Sequence, residues 1–192
     1  MQHTDDEYED WRGPGGIFVL APIAGPAAAV LHDLQARFDP RLAAMYPPHV
    51  TLAGSSGVGP LPLGTPVEEI RRRLTPLVET TSSLQLYAGP PQRFMQSDII
   101  SLPLDPHGPL RVLHDRIARS GLTFGTARFT FTPHVTLNLY RTLTPESERA
   151  LLAIRIREPL GIERLVLSAT DESGPPRTVL EMALSAESAH RG

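Results

Sequence analysis

Cysteine and lysine are both missing from the 192 residues. The first absence excludes a disulfide framework, a thiolate nucleophile and a four-cysteine zinc site. The second makes every one of the 18 basic residues an arginine. Abundant Ala, Gly, Pro and Arg together are what GC-rich coding produces. Arginine also has a chemical use, because its planar fork holds phosphate through two parallel hydrogen bonds. No apolar run is long enough to span a bilayer. The N-terminus is acidic and lacks the basic-then-apolar order of a secretory signal. The expectation is a cytoplasmic monomer with no membrane partner and no obligate protein partner. Strong positive charge is absent too: the formal net charge is −3, which argues against an electrostatic grip on long nucleic acid. The balance is uneven. Residues 1–12 hold five acids and one arginine, leaving a body of 16 acids and 17 bases, close to neutral.

What is present reads as soluble and globular, with 41% hydrophobic and 20% charged residues. Residues 1–13 are expected to be a disordered acidic tail, residues 14–186 a single bilobal domain, and residues 187–192 a frayed C-terminus. Ile17 to Ala21 reads as a buried strand. Pro26 opens a helix whose stripe is Val30, Leu31, Leu34 and Phe38, ended by Asp39-Pro40. Pro47-Pro48-His49-Val50-Thr51-Leu52 is a strand entered from a rigid proline pair, followed by a Gly/Ser loop at 54–59. A second helix starts at Thr65-Pro66, with Glu68 and Glu69 in its first turn and a stripe of Val67, Ile70, Leu74, Leu77 and Val78. Leu84 to Tyr87 alternates as a strand.

The order then recurs. Ile99 to Leu104 is a strand; Leu110, Leu113, His114 and Ile117 form a helical stripe ended near Gly121. Pro133 to Leu137 is a strand, and Thr144-Pro145-Glu146 opens a helix. Leu165 to Leu167 and Val179 to Met182 supply the last strands. Pro-His-Val-Thr-Leu stands at both 48–52 and 133–137, so the chain contains an internal repeat. Helices mixed with short strands in two related halves predict an α+β fold, with two pseudo-symmetric lobes, each carrying a small, mainly antiparallel sheet flanked by helices.

Strand side chains alternate between faces. His49 and Thr51 therefore point one way and Val50 and Leu52 the other; His134, Thr136, Val135 and Leu137 do the same. The aliphatic residues can bury in each lobe, leaving two imidazoles and two hydroxyls to line a shared cleft. That set suits phosphodiester chemistry. Histidine titrates near neutrality, so one ring can take a proton while the other gives one. The threonine hydroxyls can donate to the non-bridging oxygens. A zinc site is disfavoured because no acid lies at ligand spacing beside either motif; no metal and no cofactor are expected. Tyr140 shares the His134 face by alternation and can flank the phosphate or stack on a base. Arg141 lies on the opposite face and reaches a phosphate only if the strand ends or bulges first. His114 reads as a buried, hydrogen-bonded core residue, His32 and His107 as surface residues, and Arg71-Arg72-Arg73 as a solvated helix face.

With its two motifs His49-Val50-Thr51-Leu52 and His134-Val135-Thr136-Leu137, each entered from an aromatic and proline segment, the chain resembles the two-histidine (2H) phosphoesterase superfamily over residues 16–184. That superfamily includes the bacterial 2′-5′ RNA ligase/RNA 2′,3′-cyclic phosphodiesterase group and the cyclic phosphodiesterases of plants and yeast. The resemblance implies a bilobal fold with the site in the cleft, and metal-free opening of a 2′,3′-cyclic phosphate on a ribonucleotide or RNA terminus. It puts His134 as the base acting on water and His49 as the acid. It also leaves open a 2′-5′ RNA ligase, a 2′-5′ phosphodiesterase, or a nucleotide- or RNA-binding module without turnover. RNA ligase-like members often carry an arginine two residues after the second motif's leucine; this chain has Leu139 there, and its nearest arginine is Arg141.

Overall fold

A computed structural model describes residues 15–94, 96–171 and 175–186. The acidic segment 1–13 and the C-terminal residues 187–192 lie outside the described residues. The first half runs β1 (Gly16–Ala24), α1 (Pro26–Phe38), α2 (Pro40–Met45), β2 (His49–Ala53), α3 (Val67–Glu79) and β3 (Leu84–Leu86). The second runs β4 (Gln92–Arg93), β5 (Ile100–Pro103), α4 (Pro109–Ala118), β6 (His134–Asn138), α5 (Pro145–Leu152) and β7 (Leu160–Ile162), and the hairpin β8 (Arg164–Thr170) and β9 (Arg177–Ala183) closes the chain. The expected α+β fold of two related halves is what the structure shows.

All strands pair antiparallel, in the order β3-β7-β1-β2-β6-β5-β4, with β8 added to β1 and β9 to β8. The halves' sheets therefore join edge to edge where β2 meets β6. The repeat reaches into the register. On one side Pro22 pairs His49, Leu20 pairs Thr51, and the register shifts before Val19 pairs Ala53. On the other Pro103 pairs His134, Ser101 pairs Thr136, and the register shifts before Ile100 pairs Asn138. Each half thus carries a bulge at the leucine after its threonine, and a bulge of this kind bends the strand and increases its twist. The amide of Ile23 donates to the Pro48 carbonyl at 2.8 Å, and that of Leu104 to the Pro133 carbonyl at 3.0 Å. Each His-bearing strand is entered the same way.

One face of the sheet is covered by helices. Val50, Leu52, Val135 and Leu137 are fully buried there, with Ile70, Leu74, Leu113 and Ile117 from α3 and α4. Truncating any such leucine to alanine costs about 2–5 kcal/mol. Helix α1 lies across β6 and α4 across β2, so each helix braces the other half's strand. Both start at a Gly-Pro pair with proline in the first turn, Gly25-Pro26 and Gly108-Pro109. Both also carry the sequence Val-Leu-His-Asp, at 30–33 and 112–115. That stretch of the repeat escaped sequence reading because its two histidines have opposite fates. His32 is exposed, whereas His114 is buried and its Nδ1 lies 2.7 Å from the Leu52 carbonyl.

The buried stripe of α1 departs from expectation. Ala27, Leu31 and Gln35 face inward and Val30 is exposed. Gln35 is drawn in because its Nε2 donates to the Thr136 carbonyl at 2.7 Å. Asp39-Pro40 does end α1, but it also starts α2: the Asp39 side chain accepts from the Leu42 amide and Pro40 takes the first turn.

Candidate active site

Strands β2 and β6 pair through Val50 opposite Val135. Stepping one residue outward along both antiparallel chains puts His49 beside Thr136 and Thr51 beside His134. Those four side chains are half-buried, while the alternating valines and leucines are fully buried on the other face. Alternation alone assigned the faces correctly. It did not reveal that the two strands are immediate neighbours, which makes the histidines diagonal partners about 7–8 Å apart at the backbone. The short pairing between β2 and β6 thus acts as the local two-fold axis of the site.

Each imidazole is held in the same way. The Nδ1 of His49 lies 2.8 Å from the Pro47 carbonyl, and that of His134 lies 2.7 Å from the Thr132 carbonyl. A carbonyl only accepts, so both Nδ1 atoms carry hydrogen and each Nε2 is left as the reactive nitrogen. Neither Nε2 has a protein partner among the described residues, and neither the Thr51 nor the Thr136 hydroxyl does. One aromatic ring sits on each histidine. Tyr46 is tilted against His49 and Phe94 stands edge-on to His134, both at 5.2 Å between centroids. Burial pushes both histidines below the ordinary 6.5, partly offset by the carbonyl contacts; the charge of His134 lowers His49 further. The pair therefore accepts a first proton more easily than a second, and the two groups titrate as a unit.

Two half-buried, neutral-leaning imidazoles with free Nε2 atoms, flanked by two unpartnered hydroxyls on a strand-paired repeat, match a family pattern along the chain. The sequence model of the 2′-5′ RNA ligase superfamily covers residues 23–173. The chain belongs to this superfamily, a group of 2H phosphoesterases. No curated protein sequence matches at a significant level. Solved structures show the same fold at low identity. Crystalline TT0787 of Thermus thermophilus is 15% identical over 89% of this chain and 98% of that one, with a TM-score of 0.62. Escherichia coli LigT complexed with 3′-AMP is 15% identical over 90% of this chain and 99% of that one, at 0.53. A protein described as a phosphoesterase is 16% identical over 90% and 99%, at 0.52.

Superfamily membership does not make the two halves of this cleft alike. Tyr140 follows the end of β6, close enough to Tyr46 and Asp39 for both to bear on its phenol, whose ionisation burial pushes up. Its ring carries the Arg41 guanidinium 4.4 Å from the centroid and is 40% exposed. Arg141 is exposed and its guanidinium lies 3.5 Å from the Phe38 carbonyl. The strand does bulge and end before Arg141, as a phosphate contact requires, yet no contact joins it to either histidine. Of three further residues that position the site, the sequence marked Asp39 only as a helix end and gave no signal for Gln35 or Phe94. Asp39, 1% exposed, accepts from the amides of Leu42 at 3.0 Å and of Leu139 and Tyr140 at 2.7 Å. It ties the segment leading to His49 to the segment leaving β6. Among the described residues no group of three or more His, Asp or Glu side chains could hold a metal ion, and no helix is long and apolar enough to cross a membrane.

Proposed function

We propose that this superfamily member opens 2′,3′-cyclic phosphates of ribonucleotides or RNA ends, with His49 and His134 as the acid–base pair and Thr51 and Thr136 holding the phosphate. The observation that supports this reading is the register of β2 on β6, which brings the two motifs side by side on one sheet face with both Nδ1 atoms tied to carbonyls. Water attacks phosphorus and gives its proton to the neutral imidazole. The bond to the 3′ oxygen breaks, and that oxygen takes the proton of the other imidazole, leaving a 2′-phosphate. Each proton transfer is worth about 10²–10⁴-fold. The hydroxyls donate to the non-bridging oxygens, where charge sits in the transition state. The working assignment keeps His134 as base and His49 as acid. No step calls on a metal or cofactor.

The crystallised complex of LigT with 3′-AMP supports a nucleotide carrying phosphate on its ribose as the ligand class. Ligation to a 2′-5′ bond is the reverse passage over the same pair, so the chemistry of the site serves both directions. The test is turnover of a 2′,3′-cyclic nucleotide in excess chelator, with the product's phosphate located. A 2′-phosphate is expected. Binding without turnover on mononucleotides, RNA ends and 2′-5′ oligonucleotides alike would replace the enzyme with a binding module.

A further inference from the structure

A cavity of about 140 Å³ opens beside His49, between β1, the β8–β9 hairpin and the Tyr46-Pro47 segment. Its floor is apolar: Leu20, Pro22 and Val166. Leu20 pairs with both Thr51 and Val166, and Val166 pairs with Glu181, so the cavity floor continues the sheet face that bears the histidine motifs. Tyr46 forms one wall. It is fixed on one side by its contact with His49 and on the other by its hydroxyl, 3.0 Å from the Thr170 hydroxyl. The wall is thus formed before any ligand arrives.

At the far side stand Arg164 and Glu181, both lining the cavity and paired only loosely, at 3.7 Å. Among the described residues neither has another polar partner. A solvated surface ion pair gains little from such geometry. Here it faces a slot with an apolar floor whose other end is a histidine of the site. Arg164 lies two strands from His49, about 10 Å at the usual strand spacing, which is the reach of one ribose and its base.

We propose that this cavity is the nucleobase pocket of the site and that it selects guanine. This rests on the phosphodiesterase reading for the position of the phosphate, but not for the recognition itself. Guanine presents two adjacent N–H donors, N1–H and the 2-amino group, to the two oxygens of Glu181. Beside them O6 and N7 accept from the guanidinium of Arg164, the pairing arginine makes most readily with this base. Uracil offers one N–H flanked by two carbonyls. Adenine and cytosine each put a ring nitrogen lone pair next to their amino group, so a second carboxylate oxygen meets an acceptor.

The experiment compares guanosine and uridine substrates in the wild type, Glu181→Gln and Arg164→Gln. Both side chains are substantially exposed, so the variants keep the fold, which circular dichroism verifies. The expected guanosine-to-uridine ratio of kcat/KM for the 2′,3′-cyclic nucleotides is on the order of 10–100, collapsing toward one in Glu181→Gln. A ratio near one in the wild type, or one that Glu181→Gln leaves intact, overturns the proposal. Calorimetric binding of guanosine 3′-monophosphate and uridine 3′-monophosphate runs in parallel. A guanosine preference in binding without turnover sustains the pocket and removes the catalytic reading. Equal binding, or no binding of either, removes the pocket.

Discussion

Replacing Asp39 by alanine should both destabilise the protein and loosen the His49 end of the cleft. Its carboxylate is almost wholly buried and accepts from three backbone amides, those of Leu42, Leu139 and Tyr140. A hydrogen bond to a charged group contributes about 1.5–3 kcal/mol, and a buried donor left without a partner costs about 1–3. The Leu42 amide is buried with Asp39, whereas the contacts to Leu139 and Tyr140 are partly exposed, so water recovers some of their share. The net loss is then about 3–5 kcal/mol, a large part of a typical 5–15 kcal/mol. The loss of helix α2's N-cap is included in that figure, at about 1 kcal/mol. Urea unfolding of the purified variant measures it as a shift in midpoint with unchanged slope. Asp39→Asn should fall between the two, since an amide oxygen still accepts while its NH₂ faces donors. A loss under 1 kcal/mol for Asp39→Ala would refute the view that this carboxylate ties the two halves together.

Other outcomes follow from the same geometry. Gly57→Ala should cost about 2–4 kcal/mol, because the position has φ +75° and a Cβ would lie 2.2 Å from the His114 ring; chemical denaturation measures it. Ser101→Ala should raise stability by up to about 1 kcal/mol, since its fully buried hydroxyl has no partner among the described residues; a thermal scan shows it. Burial holds His49, His114 and His134 below 6.5, so on acidification the unfolded chain gains protons first. Stability should therefore be intact above pH 6.5 and fall as the pH drops from there through the folded values; unfolding free energies across pH 5–8 test the sign. The kcat/KM profile of the free enzyme should centre below 6.5, with the kcat profile displaced to higher pH by the bound phosphate anion.

The site was legible in the sequence because it depends on period-two alternation and on a five-residue repeat, both purely local. The faces of His49, Thr51, His134 and Thr136 followed directly. The pairing of β2 with β6 did not, since nothing in either strand names a partner 85 residues away. Gln35 reads as one more polar residue on a helix that also carries His32, Asp33 and Arg37; only the Thr136 carbonyl it donates to explains its burial. Asp39-Pro40 stops one helix and caps the next, and sequence reading recognises only the first role. The two-residue strand β4 is too short for any period to register, and the three-residue β7 has a glycine at its centre. Phe94 replaces at His134 what Tyr46 provides at His49, because the repeat's own Phe131 turns inward to stack on His114 at 3.9 Å.

The most direct test of the two-histidine claim is the pH dependence of kcat/KM for a 2′,3′-cyclic nucleotide in the wild type, His49→Ala, His134→Ala and the double variant, all in chelator. The wild type should give a bell, and each single variant should lose about 10²–10⁴-fold. The double variant should be scarcely worse than the singles, because the pair acts as a unit. Under the working assignment His134→Ala loses the acidic limb and His49→Ala the alkaline limb. Near wild-type activity in either single variant would contradict catalysis by a histidine pair.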